Sequence, residues 1–216
     1  MRANPKDLVR YNASERANHW AVGISFILLA LSGLALFHPA FYPLSMLLGG
    51  GVWSRILHPF IGVLMALLFV SMYLRFWQLN IITPVDKEWL SRVGEMVDGN
   101  DHNMPEAGKY NGGQKMMFWV ATACMALLFV SGIVIWRAYF SALFPVGIIR
   151  LASVVHAAVA AGMIGLIIVH IYAAIWTRGT IRAMLYGTVT RAWAKQHHPA
   201  WFRQAVGGGK SGGGGK

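Results

Sequence analysis

The sequence predicts an all-α integral membrane protein: a four-helix bundle with both termini in the cytoplasm and short interfacial helices beside it. Three observations carry that prediction. Apolar residues make up 56% of the 216 and charged residues only 12%, against about 25% charged in an average soluble domain. Mean hydropathy is +0.49. Four apolar blocks also approach or exceed the ~20 residues that cross a bilayer as helix. This arithmetic disfavours a soluble enzyme, a disordered protein and a disulfide-stapled secreted domain.

The first block runs from about His19 to Phe37, the second from about Ile56 to Trp77, the third from about Met116 to Trp136 and the fourth from about Ile148 to Trp176. Trp20, Trp53, Trp77, Trp119, Trp136 and Trp176 lie near the block ends, as interfacial aromatics do. The first connector, His38 to Ser54, carries no Lys, Arg, Asp or Glu. The third, Arg137 to Gly147, carries one Arg. The middle connector carries Lys87, Arg92, Lys109 and Lys115, and both ends of the chain are rich in Lys and Arg. The positive-inside rule then places both termini and the middle connector in the cytoplasm. It also explains the net charge of +11 more simply than nucleic acid does. A start that is polar and basic from Met1 to Tyr11 predicts no removable signal peptide.

Within the middle connector a short helix is expected from Asp86 to Val97, with Trp89, Leu90 and Val93 on one face. After the fourth block, Thr180 to Lys195 reads as an interfacial helix capped by Thr180. Residues 1–206 are expected to form a single domain. The Gly-rich segment 207–216 is expected to be a disordered tail. The only internal similarity is weak and lies between block ends, FVSMYLRFW against FVSGIVIWR.

The histidines carry the chemistry. Ionisable side chains inside membrane helices are rare and usually functional. His19 and His170 fall toward the inside face, His58 and His156 toward the outside. The four therefore form two pairs, each joining two different helices. The fourth block supplies a member to each pair, 14 residues apart. That spacing is about 21 Å along a helix and returns to within about 40° of the starting direction. Two haems stacked through a four-helix bundle, each held between two imidazoles, need this arrangement. With both axial positions filled, neither iron is open to oxygen chemistry, and electron transfer is the natural role.

Small residues near these positions would let a flat porphyrin approach: Gly23, Ala157, Ala158, Ala160, Ala161, Gly162 and Gly165. Ordinary packing between membrane helices explains the same residues. Two zinc sites would each need further ligands, yet no acid lies inside a block and Cys124 is the only cysteine. One cysteine also excludes an intrachain disulfide, a C-x-x-C-H haem attachment site and a four-cysteine iron–sulfur centre. A small transporter with histidine proton relays, or a passive anchor, are the readings from other classes. His38, His102, His197 and His198 read as solvated loop residues. Before the third block, Gly108-Lys109-Tyr110-Asn111-Gly112-Gly113-Gln114-Lys115 reads as a turn into a helix. Its amide and close-approach glycines could also meet a quinone carbonyl.

The segment KYNGGQKMMFW, Lys109 to Trp119, closely resembles a stretch in the cytochrome b (gamma) subunit of membrane-bound respiratory formate dehydrogenases. So do RILHPF, Arg55 to Phe60, and RAWAKQHHP, Arg191 to Pro199. The resemblance runs from about residue 8 to residue 204. The histidines alone would leave the cytochromes b of hydrogenase or thiosulfate reductase as alternatives. The resemblance implies two b haems, the outer held by His58 and His156 and the inner by His19 and His170. It implies reduction of menaquinone or ubiquinone on the cytoplasmic side, with Asn111, Gly113 and His170 at that site.

The same resemblance implies an iron–sulfur beta subunit and a molybdenum or tungsten formate dehydrogenase alpha subunit as partners, with a trimer of heterotrimers as a possible assembly. It implies residence in the bacterial inner membrane. The chain would carry quinone reduction but not formate oxidation. Electrons moving toward a negative inside would climb roughly 2.3 kcal/mol per 100 mV, so the reaction would store membrane potential. Position 112, often alanine in that family, is glycine here and is expected to loosen the loop. The Gly-rich tail replaces the family's charged one.

Overall fold

The structure, a computed structural model, describes residues 7–99 and 103–207. Its long helices are α1 (Ala13–Phe37), α2 (Gly51–Phe76), α5 (Gly112–Ile135) and α6 (Val146–Trp176). Each is long and apolar enough to cross a membrane. The four expected blocks are all present. The first three start four to six residues before the apolar run does, because first turns such as Ser14-Glu15 are helical too, and α6 starts two residues early. Shorter elements are α3 (Pro84–Ser91), α4 (Val93–Val97), α7 (Thr180–Tyr186), α8 (Arg191–His197) and α9 (Pro199–Gly207). Two strands, β1 (Leu8–Val9) and β2 (Thr188–Val189), pair antiparallel. The chain is an all-α multi-pass membrane protein.

The chain divides into two compact units. The larger comprises residues 17–75 and 120–170 and holds most of the four long helices. Apart from Phe69, its buried side chains are small or adaptable, among them Ser25, Ser32, Ala35, Met65, Ala121, Met125, Ala152 and Met163. Small residues allow close approach of helices where no hydrophobic drive separates protein from lipid. The opposite faces expose Leu64, Leu67, Val70, Val154 and Ile168, an apolar surface that would aggregate in water and suits lipid. The Asn18 side chain donates to the Leu68 carbonyl at 2.9 Å, tying α1 to α2.

The other unit comprises residues 7–16, 76–99, 103–119 and 171–207. Its core is Ala183, Val189, Trp193 and Ala194, with Leu8, Tyr11, Trp201 and Phe202 against it. Capping boxes start α1, α3 and α5. Asn12 with Glu15, Thr83 with Asp86 and Asn111 with Gln114 each satisfy two otherwise orphaned N–H groups.

Three expectations change. The middle-connector helix breaks at Arg92 into α3 and α4; Trp89 is buried there while Val93 is exposed. The expected helix from Thr180 to Lys195 splits into α7, β2 and α8, and Gly179, not Thr180, caps α7. The break falls at Gly187, whose φ is 79°, followed by the β-branched run Thr188-Val189-Thr190. The Gly187 carbonyl accepts from the backbone N–H of Arg10 at 2.8 Å and of Tyr11 at 3.1 Å. Thr190 then caps α8, its hydroxyl accepting from the Trp193 N–H at 3.2 Å. Gly207, expected in the tail, ends α9; the rest of the expected tail, 208–216, and His102 lie outside the described residues.

Candidate functional site

In the larger unit the four intramembrane histidines meet as two pairs. The ring centroids of His58 (α2) and His156 (α6) lie 6.5 Å apart, and those of His19 (α1) and His170 (α6) lie 6.3 Å apart. A direct N–H···N hydrogen bond would bring two imidazole centroids to about 5 Å. A metal with a bond of about 2 Å to each ring, each centroid about 1 Å behind its nitrogen, needs about 6 Å. Both pairs therefore have the spacing of an iron held between two imidazoles. Met163, 3% exposed, lies midway along α6 between His156 and His170.

The His58–His156 pair is built from a repeated device. Ser32 on α1 lies 2.8 Å from His58 Nδ1, and Ser131 on α5 lies 2.9 Å from His156 Nδ1. Each serine hydroxyl donates one turn back along its own helix, to Leu28 at 2.7 Å and to Leu127 at 2.6 Å. Each serine is followed by a glycine that makes room for the ring. A Cβ on Gly33 would lie 3.4 Å from His58 Cε1, and one on Gly132 would lie 3.3 Å from His156 Cε1. With Nδ1 occupied, Nε2 is the ring atom left for iron.

The His19–His170 pair is less furnished. His19 Nδ1 is buried without a hydrogen-bond partner, and His170 is exposed where the other three histidines are half-buried. The spacing and the neutral nitrogen donors fit haem at both pairs. Among the described residues no group of three or more His, Cys, Asp or Glu could hold a bare metal ion.

The chemistry of the donors points to a cytochrome b, and a comparison with known families agrees. The model of the prokaryotic cytochrome b561 family matches residues 10–187, a stretch containing all four histidines. The chain belongs to that family. Membership implies haem b binding and electron transport. Curated relatives are similar over most of their length. The formate dehydrogenase cytochrome b556(fdo) subunit of Escherichia coli strain K12 is 45% identical over 197 residues, 91% of this chain and 92% of the relative. The nitrate-inducible formate dehydrogenase cytochrome b556(Fdn) subunit of the same strain is 42% identical, covering 92% of each. The formate dehydrogenase cytochrome b556 subunit of Haemophilus influenzae is 40% identical over 94% of this chain and 86% of its own.

The Asn111 loop lies in the smaller unit and is held by structural work. Asn111 Oδ1 accepts from the Gln114 N–H at 2.9 Å, and Gln114 Oε1 accepts from the Asn111 N–H at 3.1 Å. Gly112 and Gly113 let α3 dock: added Cβ atoms would fall 2.7 Å from the Asp86 carbonyl oxygen and 3.0 Å from the Trp89 ring. Gly112 is thus a close-approach residue here, contrary to the expectation that it loosens the loop. Asn111 borders a cavity of about 210 Å³ that Asp86, Tyr110 and Lys115 also line. Burial would push the Asp86 carboxyl up, but hydrogen bonds from Lys115, at 2.6 Å, and Thr83 hold it below its ordinary value.

Four features were missed in the sequence. Ser32-Gly33 and Ser131-Gly132 are repeated Ser-Gly pairs, each about 25 residues before its histidine, a signal too short to read as a repeat. Arg10 is 4% exposed and has the rings of Tyr11, Tyr110, Trp193 and Trp201 within 5.8 Å. His198, expected to be solvated, is 2% exposed. Its Nδ1–H donates to the Gly108 carbonyl at 2.7 Å, and its Nε2 lies 3.3 Å from Arg10 Nη2. Burial first, then the Arg10 charge, pushes its pKa down to about 3. The other expected solvated residues do face water or pack locally: His38 caps the 3-10 helix Pro39–Leu48, and His197 rests on Trp193. A Cβ added at Gly23, Gly162 or Gly165 would enter open space, whereas one at Gly33 or Gly132 would meet the His58 or His156 ring.

Proposed function

We propose that the chain is the di-haem cytochrome b subunit and membrane anchor of a respiratory formate dehydrogenase. His58 with His156, and His19 with His170, are the axial ligand pairs, and bound haem supplies reversible one-electron chemistry at each. The observation that carries this reading is the pair of imidazole separations, 6.5 and 6.3 Å, on helices that cross a membrane. Similarity to formate dehydrogenase subunits at 40–45% identity supports the choice of complex. An iron–sulfur subunit and a molybdenum or tungsten catalytic subunit follow as partners. Quinone is the acceptor, reduced on the cytoplasmic side. Asn111, Gly113 and His170 are its residues by resemblance, and both termini lie in the cytoplasm of a bacterial inner membrane.

A dithionite-reduced minus oxidised spectrum, with haem counted per chain, tests the reading. Two low-spin b haems per chain, both reduced by formate when the chain is isolated with its partners, are expected. One haem or none in a well-folded, haem-supplied preparation would sink the ligand pairing. Two haems that hydrogen reduces and formate does not would move the chain to another complex.

A further inference from the structure

The two histidine pairs differ in what holds the imidazole nitrogen that faces away from the partner ring. Ser32 and Ser131 each own one hydroxyl hydrogen, and each directs it to a backbone carbonyl one turn back, at 2.7 and 2.6 Å. Neither has a hydrogen left for the imidazole. At 2.8 and 2.9 Å the contact is then a hydrogen bond that the ring donates: Nδ1–H of His58 to Ser32 Oγ, and Nδ1–H of His156 to Ser131 Oγ. Both serines are at most 5% exposed, so water does not compete. A hydroxyl that already donates is a better acceptor, because chained hydrogen bonds polarise one another. The other pair lacks this arrangement: His19 Nδ1 is buried with no partner.

We propose that Ser32 and Ser131 are positioning residues. They fix the tautomer of His58 and His156 so that Nε2 faces the iron, and they hold the reduction potential at this pair below that at His19–His170. The inference rests on the two-haem reading. Its physical basis is the basicity of the ligand. An imidazole that donates Nδ1–H to an acceptor is a stronger electron donor through Nε2 and favours the ferric iron. Two such imidazoles act on the same iron. Electrons delivered to the His58–His156 end would then run downhill toward the His19–His170 end. The order of transfer is thereby set by two serines acting through the imidazoles they hold.

The test is a spectroelectrochemical titration of the purified, haem-loaded chain carrying Ser32→Ala with Ser131→Ala, beside Ser32→Thr with Ser131→Thr. Threonine keeps the hydroxyl and its bond back along the helix. Ser25→Ala, which removes another buried serine of α1, is the control. The expected result is that the lower of the two midpoint potentials moves up in the alanine variant and the other stays in place. Threonine returns the lower one toward wild type, and Ser25→Ala moves neither. If the alanine variant holds only one haem and threonine restores the second, the positioning role stands. Two haems with unmoved potentials, equal shifts at both, or loss of both haems would overturn the inference. A wild-type chain without two haems would instead overturn the reading beneath it, so the two failures are distinguishable.

Discussion

The histidine bundle and the Asn111 loop were both singled out by sequence, and they fare differently once built. In the bundle, hydrogen bonds and missing Cβ atoms both serve the placement of two facing rings. His58 and His156 are each oriented by a serine and given room by a glycine. In the loop, every conspicuous residue has a task in folding. Asn111 caps α5, and Gly112 and Gly113 admit α3. Polar groups buried in a membrane helix are costly unless they serve something, whereas polar groups at a helix start are ordinary. The contrast teaches that placement against a ligand-sized gap argues for function more strongly than composition does.

The largest effect that could break this contrast is at the rings. His58→Ala or His156→Ala should lower the haem content from two per chain to about one, because one imidazole cannot hold a six-coordinate low-spin iron alone. His19→Ala or His170→Ala should remove the other haem and leave the first, with its spectrum and potential intact. Pyridine haemochrome counts and difference spectra on the four variants check this. Retention of both haems in any of them would dissolve that pair.

Much of this architecture was legible beforehand. The membrane helices follow from apolar length, and the pairing follows from which end of which helix each histidine occupies. The 14-residue spacing on α6 alone places two rings on one face. The serines escaped because their signal is relational: a Ser-Gly pair on one helix matters only when the next helix brings a histidine alongside. The splitting of α7 from α8 escaped because a β-branched triplet after a glycine, Thr188-Val189-Thr190, pairs with Leu8-Val9 from the far end of the sequence. Such a pairing leaves no local periodicity to read.

The loop offers a sharper, smaller test. Asn111→Ala removes both the cap and the amide, at about 1 kcal/mol for the cap alone, so a slowed enzyme would be ambiguous. Asn111→Ser keeps an oxygen able to cap α5 and removes only the amide. If the amide hydrogen-bonds quinone, the serine variant should keep its thermal stability and both haems, while quinone reduction falls about tenfold, the worth of one hydrogen bond of about 1.4 kcal/mol. Quinone kinetics unchanged in the serine variant would leave Asn111 a capping residue, and the contrast with the bundle would be complete.

The smallest effect is a pH dependence of the loop's anchor. His198 holds the Gly108 carbonyl and is kept neutral by burial and by Arg10, with a folded pKa of about 3 against 6.5 in the unfolded chain. Between those values the unfolded segment binds a proton that the folded one refuses, so anchoring is complete above about pH 6.5 and weakens as pH falls toward 3. The slope cannot exceed about 1.4 kcal/mol per pH unit for one proton. Protonation would put two cations side by side among Tyr110, Trp193 and Trp201, with no carboxylate among their hydrogen-bond partners in the described residues. Hydrogen exchange at the amides of residues 108–111 should therefore speed up at pH 5 relative to pH 7, beyond the intrinsic change in exchange rate. His198→Gln should flatten that dependence, since its amide does not titrate in this range, and the amides within α2 and α6 should show no comparable response. Equal acceleration in the glutamine variant would assign the pH sensitivity to another group and leave His198 a packing residue.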